Sequence, residues 1–184
     1  MTLEKNAAED VLAFWFEELG EKGWFQPPEG LDDVIRDRFA ALHLEMAKGE
    51  LDQFHSSARH RLAAIIVLDQ FPRNMYRATP LAFSTDWLAL REARLLVEAG
   101  LDRELDVHSR CFSYLPFEHS ENIADQDQSV RLFANLGDAN YLDYAERHRE
   151  VIRKFGRFPH RNAFVGRETT QAERDYLSQP GSGF

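Results

Sequence analysis

Imidazole, guanidinium, carboxylate and amide side chains crowd into three short stretches of this 184-residue chain: Leu68–Arg77 (LDQFPRNMYR), Tyr114–Gln126 (YLPFEHSENIADQ) and Phe155–Asn162 (FGRFPHRN). These groups are costly to desolvate, and the Phe and Pro interleaved with them are poor residues for a solvated face. Dense mixing of the two kinds points to a built pocket. An imidazole beside a carboxylate can move protons near neutral pH, and a guanidinium fork matches carboxylate or phosphate oxygens at two points. On that chemistry His119 or His148 is the candidate general acid/base, oriented by Asp69 or Glu121, with His160 in the same set. Arg73, Asn74, Gln126, Arg157, Arg161 and Asn162 are the candidate binding residues, the arginines forming a clamp for an anion. The competing reading is structural: Arg73 and Arg157 bond helix-end carbonyls and Asp69 or Glu121.

Helical periodicity supplies the positions. Helices are predicted at about Ala7–Leu19, Leu31–Lys48, Ser56–Asp69, Thr85–Ala99, Val107–Leu115, Phe117–Leu136, and from an Asp138 cap to Phe155. Thr170 and Glu173 form a capping-box pattern for a short last helix. Pro72 and Pro116 are read as helix stops. No strand or hairpin signal stands out, so the fold class is all-α: a single-domain multi-helix bundle or helical-hairpin array over 1–184. On the third helix Leu62, Ile65 and Ile66 make an apolar stripe whose next position is Asp69. On the sixth, His119 and Gln126 share a side with Ile123, Val130 and Phe133. On the seventh, His148 falls among Tyr141, Tyr144, Ala145, Ile152 and Phe155. Three helices thus turn a polar group toward the core. A buried Asp near a buried His is expected to favour the charged pair. Phe155 and Phe158 should anchor the third stretch, with Pro159 stiffening the bend.

Composition narrows the function classes. Hydrophobic residues make up 43% of the chain, enough for one sizeable core, and the net charge is −9. Between Arg147 and Arg167 seven basic residues face one acid, Glu150; that +6 island leaves −15 on the rest. The island is a candidate anion site, while the acidic total disfavours nucleic acid and anionic membranes as partners. The longest apolar run, Leu62–Leu68, is too short to span a bilayer, and the start MTLEKNAAED lacks signal-peptide features. A cytoplasmic location is the resulting expectation.

Several chemistries lack their motifs. His119, Ser120 and Glu121 spell a triad in print, but consecutive side chains on a helix point about 100° apart. There is no G-x-S-x-G elbow, no phosphate-binding glycine loop and no H-E-x-x-H spacing, so neither a metal nor a cofactor is expected. KFGRFPHR has the wrong residue order for an RNA-binding strand motif. The single cysteine, Cys111, is read as a buried thiol, and Trp15, Trp24 and Trp87 as core anchors.

LDQFPRNMYR with AFSTD, YLPFEHSENIADQ, and KFGRFPHRN with VGRETT closely resemble the bacterial "domain of unknown function 924" family. The opening VLAFWF and the closing YLSQPGSGF extend the resemblance from Val11 to Phe184. It implies an all-helical fold similar to tetratricopeptide repeats and defines no activity. The signature positions it carries onto this chain include Asp69, Gln70, Arg73, Asn74, His119, Ser120, Glu121, Gln126, His148, Arg157, His160, Arg161 and Asn162, nearly the same set picked out by helical faces. Two functions follow as expectations. One is an anionic small-molecule site for a phosphorylated or carboxylated metabolite, with metal-independent hydrolase or transferase chemistry. The other is a non-catalytic helical scaffold for a protein partner. The oligomeric state is not encoded in any pattern here.

Overall fold

The computed structural model describes residues 7–49 and 52–182. The first six residues of MTLEKNAAED and the last two of YLSQPGSGF lie outside them. Among the described residues every regular element is helical and no strand occurs, as expected for an all-α chain. No helix among them is long and apolar enough to cross a membrane. The chain packs as two compact units, Met1–Arg77 with Leu81–Pro116, and Ala78–Pro80 with Phe117–Phe184.

In the first unit α1 (Ala7–Leu12) runs into a π-helical stretch, Ala13–Leu19, followed by α2 (Gly20–Phe25) and α3 (Leu31–Ala47). The predicted first helix ends at Leu19, immediately before Gly20. The Gly20 φ of 63° bends the chain into a further helix. Next come α4 (Ala58–Ile65), a π-helical stretch Ile66–Gln70, α5 (Phe71–Met75) and α6 (Asp86–Glu98). Large rings fill the core: Phe39 stacks on Phe71 at 4.7 Å between centroids, Phe14 lies 5.2 Å from Phe39, and Trp15 meets Phe71 at 5.8 Å.

Pro72 does not stop the third predicted helix. Phe71 N–H reaches back five residues to the carbonyl of Ile66, and Pro72 sits in the first turn of α5, where its missing N–H is tolerated. The carbonyl of Leu68, four residues before Pro72, accepts the Thr85 hydroxyl at 2.7 Å instead. Thr85 in turn lies 3.1 Å from Nε2 of buried His43. Since the hydroxyl proton is spent on Leu68, His43 Nε2–H donates. This explains why Thr85, at the N-cap of α6, makes no side-chain cap bond.

Helix α7 (Val107–Glu118) runs straight through Pro116 rather than stopping before it. The second unit then holds α8 (Ile123–Leu136), α9 (Ala139–Phe155), a 3-10 turn at Pro159–Arg161 and α10 (Gln171–Leu177). Helices α8 and α9 form a hairpin. Gly137 turns the chain with φ 83°, and Asp138 accepts from Asn140 and Tyr141 N–H at 2.9 and 3.2 Å. The α10 capping box forms as the sequence predicts.

Replacing Thr85 with Val should leave the Leu68 carbonyl and the His43 N–H buried without partners and cost about 1–3 kcal/mol. Thr85→Ser should cost much less, and urea midpoints of the two variants check the difference.

Candidate functional site

Asp69 sits in the π-helical stretch Ile66–Gln70 and is fully buried. Its carboxylate lies 3.2 Å from Arg73 and accepts from Gln70 Nε2 at 2.6 Å. Arg73 also bonds both oxygens of Asp86, at 2.9 and 3.1 Å, and the backbone carbonyl of Asp69. Burial opposes the charge on Arg73, but Asp69 and Asp86 outweigh it and raise its pKa. Asn74 donates to the Gln70 carbonyl at 3.1 Å and accepts from Arg77 at 3.1 Å. The guanidinium expected to clamp a ligand is thus enclosed by two carboxylates of its own unit.

The second unit shows the same economy around Arg157. Its guanidinium bonds Glu173 at 2.6 and 2.9 Å and the Glu168 carbonyl at 2.8 Å. That bonding, against the opposing effect of burial and with help from Thr170 and Asn162, lowers Glu173 to about 2. The expected partner of Arg157, Glu121, is taken elsewhere. It accepts Phe158 N–H at 2.8 Å and a two-point bond from Arg167 at 2.7 and 2.9 Å. Burial raises Glu121, but these bonds outweigh it and leave it lowered. Glu121 is therefore a structural pin between the α7–α8 turn and the Phe158 bend, not the orienting acid of a histidine.

His119, Ser120 and Glu121 lie between α7 and α8 rather than on one helix. They still form no triad, because Ser120 donates to Asp125 at 2.7 Å and Glu121 is held by Arg167. Gln126 supports this turn from below, donating to the carbonyls of Glu118 and Ser120 at 2.6 and 2.7 Å, and its buried Oε1 has no hydrogen-bond partner.

What gathers in this unit is a cluster of imidazoles. His148, on α9, places Nδ1 at 2.8 Å from the Tyr144 carbonyl and 3.2 Å from Glu118 Oε1. A carbonyl only accepts, so Nδ1 carries the proton and the neutral ring keeps its lone pair on Nε2. The His119 ring lies 6.4 Å away, and Phe158 packs edge-on at 5.7 Å. His160 lies 5.6 Å from Phe158, and the Arg161 guanidinium sits 4.6 Å over the same ring. Burial pushes His148 down to about 3, with His119, Arg161 and His160 adding to the fall and the Tyr144 carbonyl opposing it. In place of the predicted charged Asp–His pair, the neighbouring carboxylate is that of Glu118, and burial keeps the ring neutral at pH 7. Asn162 is fully buried beside the cluster's bend, with Nδ2 3.4 Å from Thr169.

Periodicity misplaced some residues. Ile123 and Tyr144, expected on buried faces, are 43% and 50% exposed, while Asp125, Gln126 and Ser129 lie on the buried side of α8. Trp15 is buried, but Trp87, read as a core anchor, is 63% exposed. Cys111 is buried. Glu118, Arg167 and Glu173 are not among the predicted site residues. Glu173 carries one local signal, its capping-box position, and Arg167 only its place at the end of the basic island. Among the described residues no group of three or more His, Cys, Asp or Glu is placed to hold a metal ion.

Residues 11–181 match the family described as "Bacterial protein of unknown function (DUF924)", and the chain belongs to that family. A solved structure of a protein of unknown function from Agrobacterium tumefaciens, ATU0120, is similar at 41% identity and a TM-score of 0.88, covering 93% of this chain and 96% of that one. No curated protein matches.

A ring neutral in the fold and basic in the unfolded chain loses stability for the fold as pH drops below about 6.5, down to its folded value. Glu173 adds a second loss as pH falls from 4.5 toward about 2. Burial also lowers His43, with the same sign as His148. Urea midpoints should therefore fall on acidification from pH 7. His148 should contribute up to about 1.4 kcal/mol per pH unit. The His148→Gln variant should show a shallower fall from about pH 6.5 down to about pH 3 and keep the Glu173 contribution below pH 4.5.

Proposed function

We propose that this protein binds an anionic small molecule, phosphorylated or carboxylated, at the cluster of His119, His160 and Arg161 above the neutral ring of His148. The observation that carries the reading is the gathering of His148, His160 and the Arg161 guanidinium around Phe158, with His119 beside His148, on a frame whose carboxylates Glu121 and Glu173 are already committed to Arg167 and Arg157. Arg161 contributes a permanent charge with fork geometry, and the imidazoles become cationic when an anion makes protonation favourable. His148 acts as a positioning group: its Nδ1 bond to Tyr144 fixes the ring. A pKa of about 3 makes it a poor base at neutral pH, so any proton transfer at this site belongs to His119 or His160.

A scaffold function is favoured by a different observation. Arg73 and Arg157, two of the three arginines expected to hold the ligand, are spent on internal ion pairs. On that reading the whole polar signature is structural.

The two readings part in a thermal-shift titration with inorganic phosphate, pyrophosphate and citrate. An anion at a hundred times its Kd should stabilise the protein by about 2.7 kcal/mol, raising Tm by roughly 5–11 °C. His119→Gln and Arg161→Lys should remove most of that rise. Binding measured by calorimetry in two buffers of different ionisation enthalpy should show proton uptake at pH 7. No saturable stabilisation by any of the three anions, or a rise unchanged in both variants, would overturn the proposal and leave the scaffold.

A further inference from the structure

A separate cavity of about 330 Å³ opens in the first unit, lined by residues of α1, the π-helical stretch after it, α2, α4 and the start of α7. Aromatic residues form part of its wall. Trp24 and Phe16 meet edge to face at 5.5 Å, and Phe112 packs behind Trp24 at 4.7 Å. The Trp24 indole N–H donates to the Trp15 carbonyl at 2.9 Å, which fixes the ring. This wall is rigid without any ligand, so little ordering cost remains for binding.

Acidic residues complete the lining. Glu17, Glu21 and Asp106 line the cavity together with one guanidinium, Arg59, and the ring of His108, which lies 5.7 Å from that of Trp24. Arg59 is already gripped by Glu9, with nitrogen–oxygen distances of 2.9 and 3.5 Å. Asp106 caps α7, accepting the Ser109 N–H at 3.0 Å and the Ser109 hydroxyl at 2.6 Å. Those bonds anchor the carboxylate and hold it in its charged form. The cavity therefore pairs aromatic rings with a surplus of negative charge, the combination that attracts a cation carrying apolar substituents. A small inorganic cation would have to shed a strongly held hydration shell to reach the rings, and an anion would be repelled.

We infer that this cavity, walled by Trp24 and Phe16 and rimmed by Glu17, Glu21 and Asp106, is a binding site for an organic ammonium group. The shared chemistry is a methylated or alkylated ammonium head, from a free small amine or from a lysine side chain of another protein. The site is independent of the histidine cluster and stands whether or not an anion binds there.

The test follows the Trp24 indole N–H signal by NMR in the full chain during titration with choline chloride at constant ionic strength. A saturable shift is expected. The neutral carbon isostere dimethylbutanol should bind about tenfold more weakly or worse, since only the cation gains from the rings and the carboxylates. The doubly substituted Glu17→Gln, Glu21→Gln protein changes only exposed side chains and should keep its fold, and its affinity for choline should fall about threefold or more. Titration with acetyl-lysine amide distinguishes the sources: tighter binding than choline assigns the site to a protein lysine, weaker binding to a small quaternary amine, and either supports an ammonium site. An absent or non-saturable choline shift, equal binding of dimethylbutanol, or an affinity unchanged by the glutamine pair would overturn it.

Discussion

A carboxylate removed from water has to bring a cation with it, and in this protein the packing of each unit is arranged around that requirement. Glu92 on α6 has no exposed surface, yet Arg61, Arg91 and His55 all converge on its oxygens. Asp69 and Asp86 share Arg73; Glu121 takes Arg167; Glu173 takes Arg157. Removing one member of such a pair strands the other, and the stranded charge, rather than the lost attraction, dominates the cost. Neighbouring helices are fixed by this pairing as much as by their apolar stripes. The arginines most prominent in the sequence are thereby largely occupied.

The histidine cluster differs in kind. Around Phe158 the ionisable groups are mainly imidazoles, whose charge is conditional, and they share their surroundings with one guanidinium and one buried glutamate. Burial holds one of those rings, His148, neutral at pH 7, whereas the carboxylate–guanidinium pairs elsewhere in the unit are charged on both sides and fix the segments they join.

Helix types and caps were largely legible in the sequence, because they depend on local chemistry: Asp138 and Thr170 cap the helices they were expected to cap, and Gly156 closes α9. The two prolines were misread for a physical reason. A helix can pass a proline when the carbonyl it orphans finds another donor, and at Pro72 that donor is a threonine thirteen residues further on, invisible to any local window. The burial of His148 was also legible, since it lies on an apolar stripe. Its electrical state was not, because that depends on Glu118, His119, His160 and Arg161 arriving from other segments. The same limit hid Arg167 and Glu173: sequence periodicity shows which side chains face inward, and not which of them will find each other.

The π-helical stretch Ile66–Gln70 carries one residue more than an α-helix of the same span would hold. That surplus acts as a phase shifter. It delays the helical screw by about 100° just before Asp69, so the residues on either side of it are read in two different rotational frames. Deleting a single residue before Asp69 would let the backbone relax into an uninterrupted α-helix with better intrinsic bonds, while turning Asp69 and its partner Arg73 together by about 100° relative to α4. The local hydrogen-bond optimum and the placement of the buried acid are therefore opposed, and the length of this segment is constrained more tightly than the identity of most of its side chains.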